Sequence, residues 1–358
     1  MRPSLVVPLA DPAAGNAARF GPKAANLAGL GGAGLPVPGG FAIDADAYRR
    51  QLRHLRLGSA ARAVMRTPGP EARRQALAVR LGLMAQPIAP AIAELILAAW
   101  RQLAAGGGLA VVRSSALVED RSGAGFAGQF ESFLGIAGEA DFLTAVRACW
   151  AALWSVRALR YMASHAIDPA ETAMSLLVQP LIAARASGGG LSRTAEGDML
   201  LTATWGLGSA IAQGEVVPDR VRLGRDGRVR AIEPGRKEHR ESCVHGQGPV
   251  AGPVTQAEFG RPCLDTEQAV ALGHLLRRAE EVIGVPVEIE WALDDRGFML
   301  LQARPLAVAE PAVPDEIWIR HPRLSGQGAG VGWGSGHARV VNCECELARI
   351  GTGDILVT

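Results

Sequence analysis

Glu288-Ile289-Glu290 and Gln302-Ala303-Arg304 are two tripeptides with polar ends and an apolar centre. On a β-strand such alternation puts both ends on one face. Asp294-Asp295-Arg296-Gly297 between them reads as a hairpin turn, so the two strands pair and all four polar side chains share one sheet surface. Hard carboxylate and amide oxygens are Mg²⁺ donors, and Mg²⁺ usually brings substrate phosphates with it. An arginine beside them neutralises phosphoryl oxygens. An exposed sheet face with cross-strand ion pairs would use the same residues. Trp291 and Leu300-Leu301 assign the opposite face to the core.

Other segments suit an anion. Arg113-Ser114-Ser115 ends the apolar run Leu109–Val112 and sets a fixed cation beside two hydroxyls. A buried pairing of Arg113 with Glu119 or Asp120 is the plain alternative. The loop Ser122–Gly128 is rich in glycine, which lets backbone N–H groups converge on an anion. It lacks the GxxxxGK(S/T) pattern, and most such loops are only turns. Trp205-Gly206-Leu207-Gly208-Ser209-Ala210 permits a close backbone approach to a ligand, or merely a turn. Lysine occurs only at 23 and 237 among 37 cations, so 35 are arginine. A lysine that persists in such a background suits a compact, rotatable charge on a phosphate. For Lys237, survival by chance is an equally good reading.

The elements that must position these residues follow from punctuation and periodicity. Residues 16–34 read as a helix with Pro22, and hence Lys23, in its first turn. Residues 35–43 read as a turn and a short strand. Helical periodicity marks 44–57, 70–84, 88–104, 139–165 and 266–284, the last stopped by Gly284. In 139–165, Trp150 and Trp154 lie four apart on one face. Strands are expected at 109–113, 130–136, 175–182, 199–205, 216–223, 229–234, 287–293 and 298–303. Residues 307–323 read as an Ala/Pro-rich linker. The piece 324–358 is too short to bury its own core.

Composition narrows the class. The 358 residues are 48% apolar and 20% charged, with a formal net charge of +2, which excludes disorder and a basic nucleic-acid binder. Apolar runs break well before about 18 residues, so no membrane helix is expected. The Pro-broken N-terminus does not suit a signal peptide, and the chain reads as cytoplasmic. Cysteines at 149, 243, 263, 343 and 345 show no CxxC spacing and read as free thiols.

Several segments in the same order resemble the N-terminal ATP-binding domain of phosphoenolpyruvate synthase and pyruvate phosphate dikinase. They are FGPKAANLAGL with LPVPGGFAI, AVVRSSALVED, GFAGQFESFLGI, the VQP strand, WGLGSAIAQGEVVPD and VEIEWALDDRGFMLLQARPL, spanning about residues 20–306. The resemblance implies an α+β, ATP-grasp-like fold with lobes at about 1–105, 106–185 and 186–306. It implies ATP and Mg²⁺ as cofactors. Lys23, Arg113 and Arg304 match phosphate-binding and catalytic positions. Gly128 and Ser132 match the cover over the phosphates, and Gln179 the strand beside the adenine. Glu288, Glu290 and Gln302 match positions that hold the metal, and Glu288 stands where the family pattern has Asp, lengthening that arm.

Two departures stand out. Segment 187–194 reads Ser-Gly-Gly-Gly-Leu-Ser-Arg-Thr in place of the family's Phe-Thr and Asp-Pro pattern, which implies an altered lid over the phosphates. The family's nucleophilic histidine has no counterpart among His54, His165, His239, His245, His274, His321 and His337. His337 is the nearest lookalike, but it lies upstream of the expected place. The tail resembles the start of a swivelling phosphohistidine domain. The resemblance therefore implies a phosphoryl-transfer domain whose phosphohistidine domain lies in cis beyond this sequence or in trans, with no nucleic-acid or membrane partner. The ATP subunit of a two-component phenylphosphate synthase, a rifampicin phosphotransferase and a non-catalytic nucleotide-binding remnant are the alternatives.

Overall fold

Glycine and proline set the boundaries that the sequence announces. In the computed structural model, helix α1 (Ala17–Gly32) is broken at Gly21 (φ 72°, ψ 166°) and restarted by Pro22, so Lys23 does sit in a first turn. Only glycine tolerates that backbone, and a Cβ there would also collide with the carbonyl and hydroxyl oxygens of Ser115. The structure describes residues 4–64, 66, 69–118, 130, 132–245, 248–306, 336–341, 346, 349–351 and 353–357. The loop 119–129 with Gly128, the expected linker, His321, Cys343 and Cys345 lie outside them. Residues 1–306 form one compact unit and 307–358 a second.

Among its described residues the first unit holds two large antiparallel sheets and a separate two-stranded hairpin. Strands β1 (Val6–Pro8) and β2 (Phe41–Ile43) precede helices α2 (Ala45–His54), α3 (Gly58–Ala63), α4 (Pro70–Ala85) and α5 (Pro90–Ala104). Then come β3 (Ala110–Ala116), β4 (Ser132–Ile136), α6 (Glu139–Ala152), α7 (Val156–Ser164) and β5 (Met174–Pro180). The five strands pair in the order β1-β2-β5-β3-β4. The first two lobes expected from sequence therefore share one sheet. They also share one core, in which Ile43, Leu83, Ile96, Phe142, Trp150 and Trp154 are buried together.

A second sheet is built from β6 (Ala186–Leu191), β7 (Met199–Trp205), β8 (Asp219–Leu223), β9 (Val229–Glu233), β12 (Val287–Asp294) and β13 (Gly297–Pro305), in the order β13-β12-β6-β7-β8-β9. Between β7 and β8 lies the short helix α8 (Ser209–Ala212). The hairpin β10 (His239–Val244)–β11 (Gly248–Pro253) and helix α9 (Thr266–Ile283) intervene before β12. Helix α9 carries a capping box at Asp265 and Gln268 and ends at Gly284 in the left-handed region. Phe20, Leu27 and Leu30 of α1 join Ile289, Trp291 and Leu272 in the second core. Helix α1 also ties itself to β13 through Asn26 Nδ2, which donates to Ala303 O at 2.9 Å.

Three expectations need correction. Residues 139–165 are two helices, because Ser155 caps α7 by accepting from Ala158 N at 3.1 Å. Residues 139–164 are also long and apolar enough to cross a membrane by length and composition, against the expectation of no such stretch. The fold buries 56% of their most apolar window, with Trp150 and Trp154 in the core. Segment 187–194, read as part of a lid, largely forms β6, an inner strand between β12 and β7. Its glycines serve packing, since a Cβ on Gly188 would strike the Thr202 carbonyl. In the second unit, β14 (His337–Val340) and β15 (Asp354–Val357) pair in parallel, and His337 is exposed.

Candidate functional site

The hairpin β12–β13 forms as its alternation requires. Glu288 lies opposite Arg304 and Glu290 opposite Gln302, while Ile289 and Trp291 are fully buried on the other face. One irregularity matters. Trp291 pairs with Leu300, so Leu301 is an extra residue that bulges the strand. Leu301 was expected in the core. The bulge turns it to the cleft side, where its carbonyl accepts from Arg113 Nη1 at 3.3 Å.

A cleft of about 340 Å³ lies within the first unit, a size common for small-molecule sites. Lys23, Arg113, Ser132, Gln179, Glu290, Gln302 and Arg304 all line it. The structure thus brings together every described site residue expected from sequence except Glu288. Gly128 falls outside the described residues.

The cations come from three elements. Lys23 arrives on α1 and donates from Nζ to Ser114 O at 3.1 Å. Arg113 arrives on β3 and reaches the second sheet, with Nη1 3.4 Å from Glu290 Oε2. That single long contact is weak. Arg113 Nε is buried with no acceptor among the described residues, so the guanidinium has donor capacity that those residues leave unused. Arg304 arrives on β13 and donates to Glu288 Oε2 from Nε at 2.9 Å and from Nη2 at 2.5 Å. Expected with the metal ligands, Glu288 turns instead to this arginine.

The rest of the cleft is largely apolar, with Val111, Leu134, Ile182, Leu207 and Ala292 in its wall. Gln179 is buried, and its Nε2 donates to Pro38 O at 3.1 Å, which fixes the end of β5. Residues 181–185 then carry the chain from the first sheet to the second, anchored where Arg185 N donates to Leu293 O at 2.9 Å. Sequence reasoning missed Leu301 and Ala292 as cleft residues. Leu207, Gly208 and Ser209, whose glycines left ligand and turn equally open, do line the wall. A cleft lined by three cations and a largely apolar remainder suits a planar apolar group joined to an anion.

Lys237 lies elsewhere. It is fully buried and paired with Asp219, whose carboxylate also accepts from Gly235 N and Cys263 N, each at 2.7 Å. Asp219 thus ties β8 to the segments at 235–237 and at 263, and Lys237 supplies its counter-charge. Of the described cysteines, Cys149 and Cys263 are buried and Cys243 is half-buried. Burial pushes the thiols of Cys263 and Cys243 upward. Among the described residues no three His, Cys, Asp or Glu side chains gather in a way that could hold a metal by themselves.

Fold and cleft together define a unit of mixed helices and antiparallel sheets with a cation-bearing cleft. Comparison with known families makes the class specific. The pyruvate phosphate dikinase AMP/ATP-binding domain matches residues 17–319, and the chain belongs to that family. A probable phosphoenolpyruvate synthase of Methanothermobacter thermautotrophicus is 30% identical over 351 residues, covering 94% of this chain and 51% of that protein. A rifampicin phosphotransferase of Streptomyces sp is 35% identical over 324 residues, covering 87% of this chain and 37% of that protein. The prodigiosin synthesizing transferase PigC of Serratia marcescens is 33% identical over 332 residues, covering 90% and 35% respectively. The chain thus spans about half, or less, of the length of these relatives. A solved structure from Pyrococcus horikoshii Ot3 overlaps 70% of this chain and 98% of that one at 11% identity and a TM-score of 0.28, too low to bear on the fold.

Proposed function

We propose that the cleft binds Mg-ATP and that the chain acts as the ATP domain of a phosphotransferase, passing phosphoryl to a histidine on a domain in cis or in trans. One observation carries this reading: Lys23, Arg113 and Arg304, from three separate elements, converge with Glu290 and Gln302 on a cleft with an apolar remainder. The cations would neutralise phosphate oxygens, which is most of what phosphoryl transfer asks of a protein. Gln179 and residues 181–184 would flank the adenine, and Ser132 would lie along the phosphates.

The donor set also fits a magnesium ion. Glu290 and Gln302 face each other across the hairpin, and the Glu290 side chain is 52% exposed. Two protein oxygens suit Mg²⁺, which completes its octahedron with water and phosphate oxygens. Bound there, the ion would supply charge neutralisation between adjacent phosphates. For Glu290 to serve it, Arg113 must release its long contact, and an incoming phosphate offers that arginine a better partner.

The acceptor lies beyond this cleft. Relatives named for phosphoenolpyruvate, rifampicin and prodigiosin support one ATP domain serving several acceptors, and identity to the rifampicin phosphotransferase is as high as to the synthases. The test is to mix the chain with ATP and the separately expressed phosphohistidine domain of a phosphoenolpyruvate synthase. Release of AMP and, by hydrolysis, of the γ-phosphate as inorganic phosphate is expected, with label from β-labelled ATP retained on the histidine, and Arg113→Met should abolish all three. ATP binding without AMP or ADP release, with this domain or that of a rifampicin phosphotransferase, would instead support a non-catalytic nucleotide binder.

A further inference from the structure

We propose that Glu288 is a positioning residue that holds Arg304 ready for a nucleotide phosphate, and that it is not a metal ligand. This rests on the nucleotide reading above and assigns a different task to one of its residues.

The four polar residues of the hairpin share a sheet face, but the register divides them into two pairs with different roles. Glu290 and Gln302 lie opposite each other and both line the cleft. Glu288 and Arg304 lie opposite each other, and only the arginine lines it. The Glu288 carboxylate takes two charge-assisted bonds from one guanidinium, at 2.9 and 2.5 Å. The partners are part-buried, with side chains 35% and 24% exposed. A guanidinium has five N–H donors. Those that Glu288 does not engage remain for an anion, and the fork cannot turn without breaking both bonds.

A metal at Glu288 would sit against the Arg304 guanidinium, and the two like charges would repel. Glu290 has no such obstacle, because its only described cationic partner is the single 3.4 Å contact from Arg113. The division of labour follows: Glu290 and Gln302 face the cation, Arg304 faces the phosphate, and Glu288 fixes Arg304 from the side away from the ligand.

The experiment compares Glu288→Gln, Glu288→Asp and Glu290→Gln in the full chain. Calorimetry reads affinity for ATP and for adenosine. Electron paramagnetic resonance follows Mn²⁺ binding to the protein–ATP complex, and melting temperature reports folding. Glu288→Gln should weaken ATP roughly tenfold, a usual cost of losing an outer partner, while adenosine affinity, Mn²⁺ midpoint and melting temperature stay near wild type. Glu288→Asp, which keeps the charge, should recover most of the loss. Glu290→Gln should shift the Mn²⁺ midpoint. The proposal is overturned if Glu288→Gln moves the Mn²⁺ midpoint as Glu290→Gln does, if it weakens ATP and adenosine alike, or if it leaves ATP affinity unchanged. Wild-type protein that fails to bind ATP would overturn the nucleotide reading first, and this inference with it.

Discussion

The two lysines of this arginine-rich chain separate stability from binding. Lys237 is fully buried and Asp219 nearly so. In Lys237→Met the carboxylate keeps the N–H groups of Gly235 and Cys263 but loses its counter-charge. Removing one partner of a buried pair costs about 3–5 kcal/mol. With a urea m-value of about 3 kcal/mol/M, the midpoint should fall by about 1–1.7 M. Lys237→Arg should not rescue it, because a fully buried site shaped to an ammonium must be overpacked to take the larger guanidinium fork. Lys23→Arg should behave in the opposite way. Lys23 is part-exposed at the cleft, and its compact ammonium is bound to Ser114 O. Its replacement should weaken ATP about tenfold, near 1.4 kcal/mol, and change stability by less than about 0.5 kcal/mol. Urea denaturation followed by tryptophan fluorescence, with ATP calorimetry at 25 °C, reads both quantities. A loss under about 1 kcal/mol for Lys237→Met would refute the buried-pair reasoning. So would a Lys237 variant that stays stable yet binds ATP as poorly as Lys23→Arg.

Gly21→Ala should cost about 2 kcal/mol or more, since its backbone region is nearly closed to other residues and Ser115 blocks a Cβ; denaturation and calorimetry should show ATP affinity falling with it. Arg113→Met should weaken ATP by about 10–100-fold, the equivalent of one charged hydrogen bond, while its melting curve stays near wild type. Glu258 gives a pH signature. The Thr255 N–H, the Arg240 guanidinium and the Thr255 hydroxyl hold its carboxyl down at about 2, from an ordinary 4.5. A depressed folded-state value adds stability above about pH 4.5 that is lost as pH falls toward 2. Acid denaturation curves of wild type and Glu258→Gln should therefore converge over that window.

Much of the site is legible because it depends on local rules. Strand alternation alone puts Glu288, Glu290, Gln302 and Arg304 on one face, and a proline-started helix places Lys23. What alternation cannot say is who pairs with whom. The cross-strand bond from Arg304 to Glu288 and the reach of Arg113 to Glu290 depend on register and on the approach of a second sheet. The bulge at Leu301 shifts one residue from core to cleft and leaves no mark in an apolar Leu-Leu pair. Strand β6 stays hidden because Gly188–Gly190 has no side-chain period, and its glycines are set by the neighbouring Thr202. The break between α6 and α7 follows no glycine or proline, only the Ser155 cap. Lys237 shows its role only when Asp219, 18 residues earlier, is seen to meet it in the core.

The central claim is that the three cations and the Glu290–Gln302 pair form one Mg-ATP site. Titration calorimetry of the full chain with ATP, with and without Mg²⁺, tests it most directly. The expected result is one ATP per chain, tighter with Mg²⁺, with the gain from Mg²⁺ lost in Glu290→Gln and affinity lowered in Arg113→Met. No heat of binding, or binding that ignores both substitutions, would contradict the account.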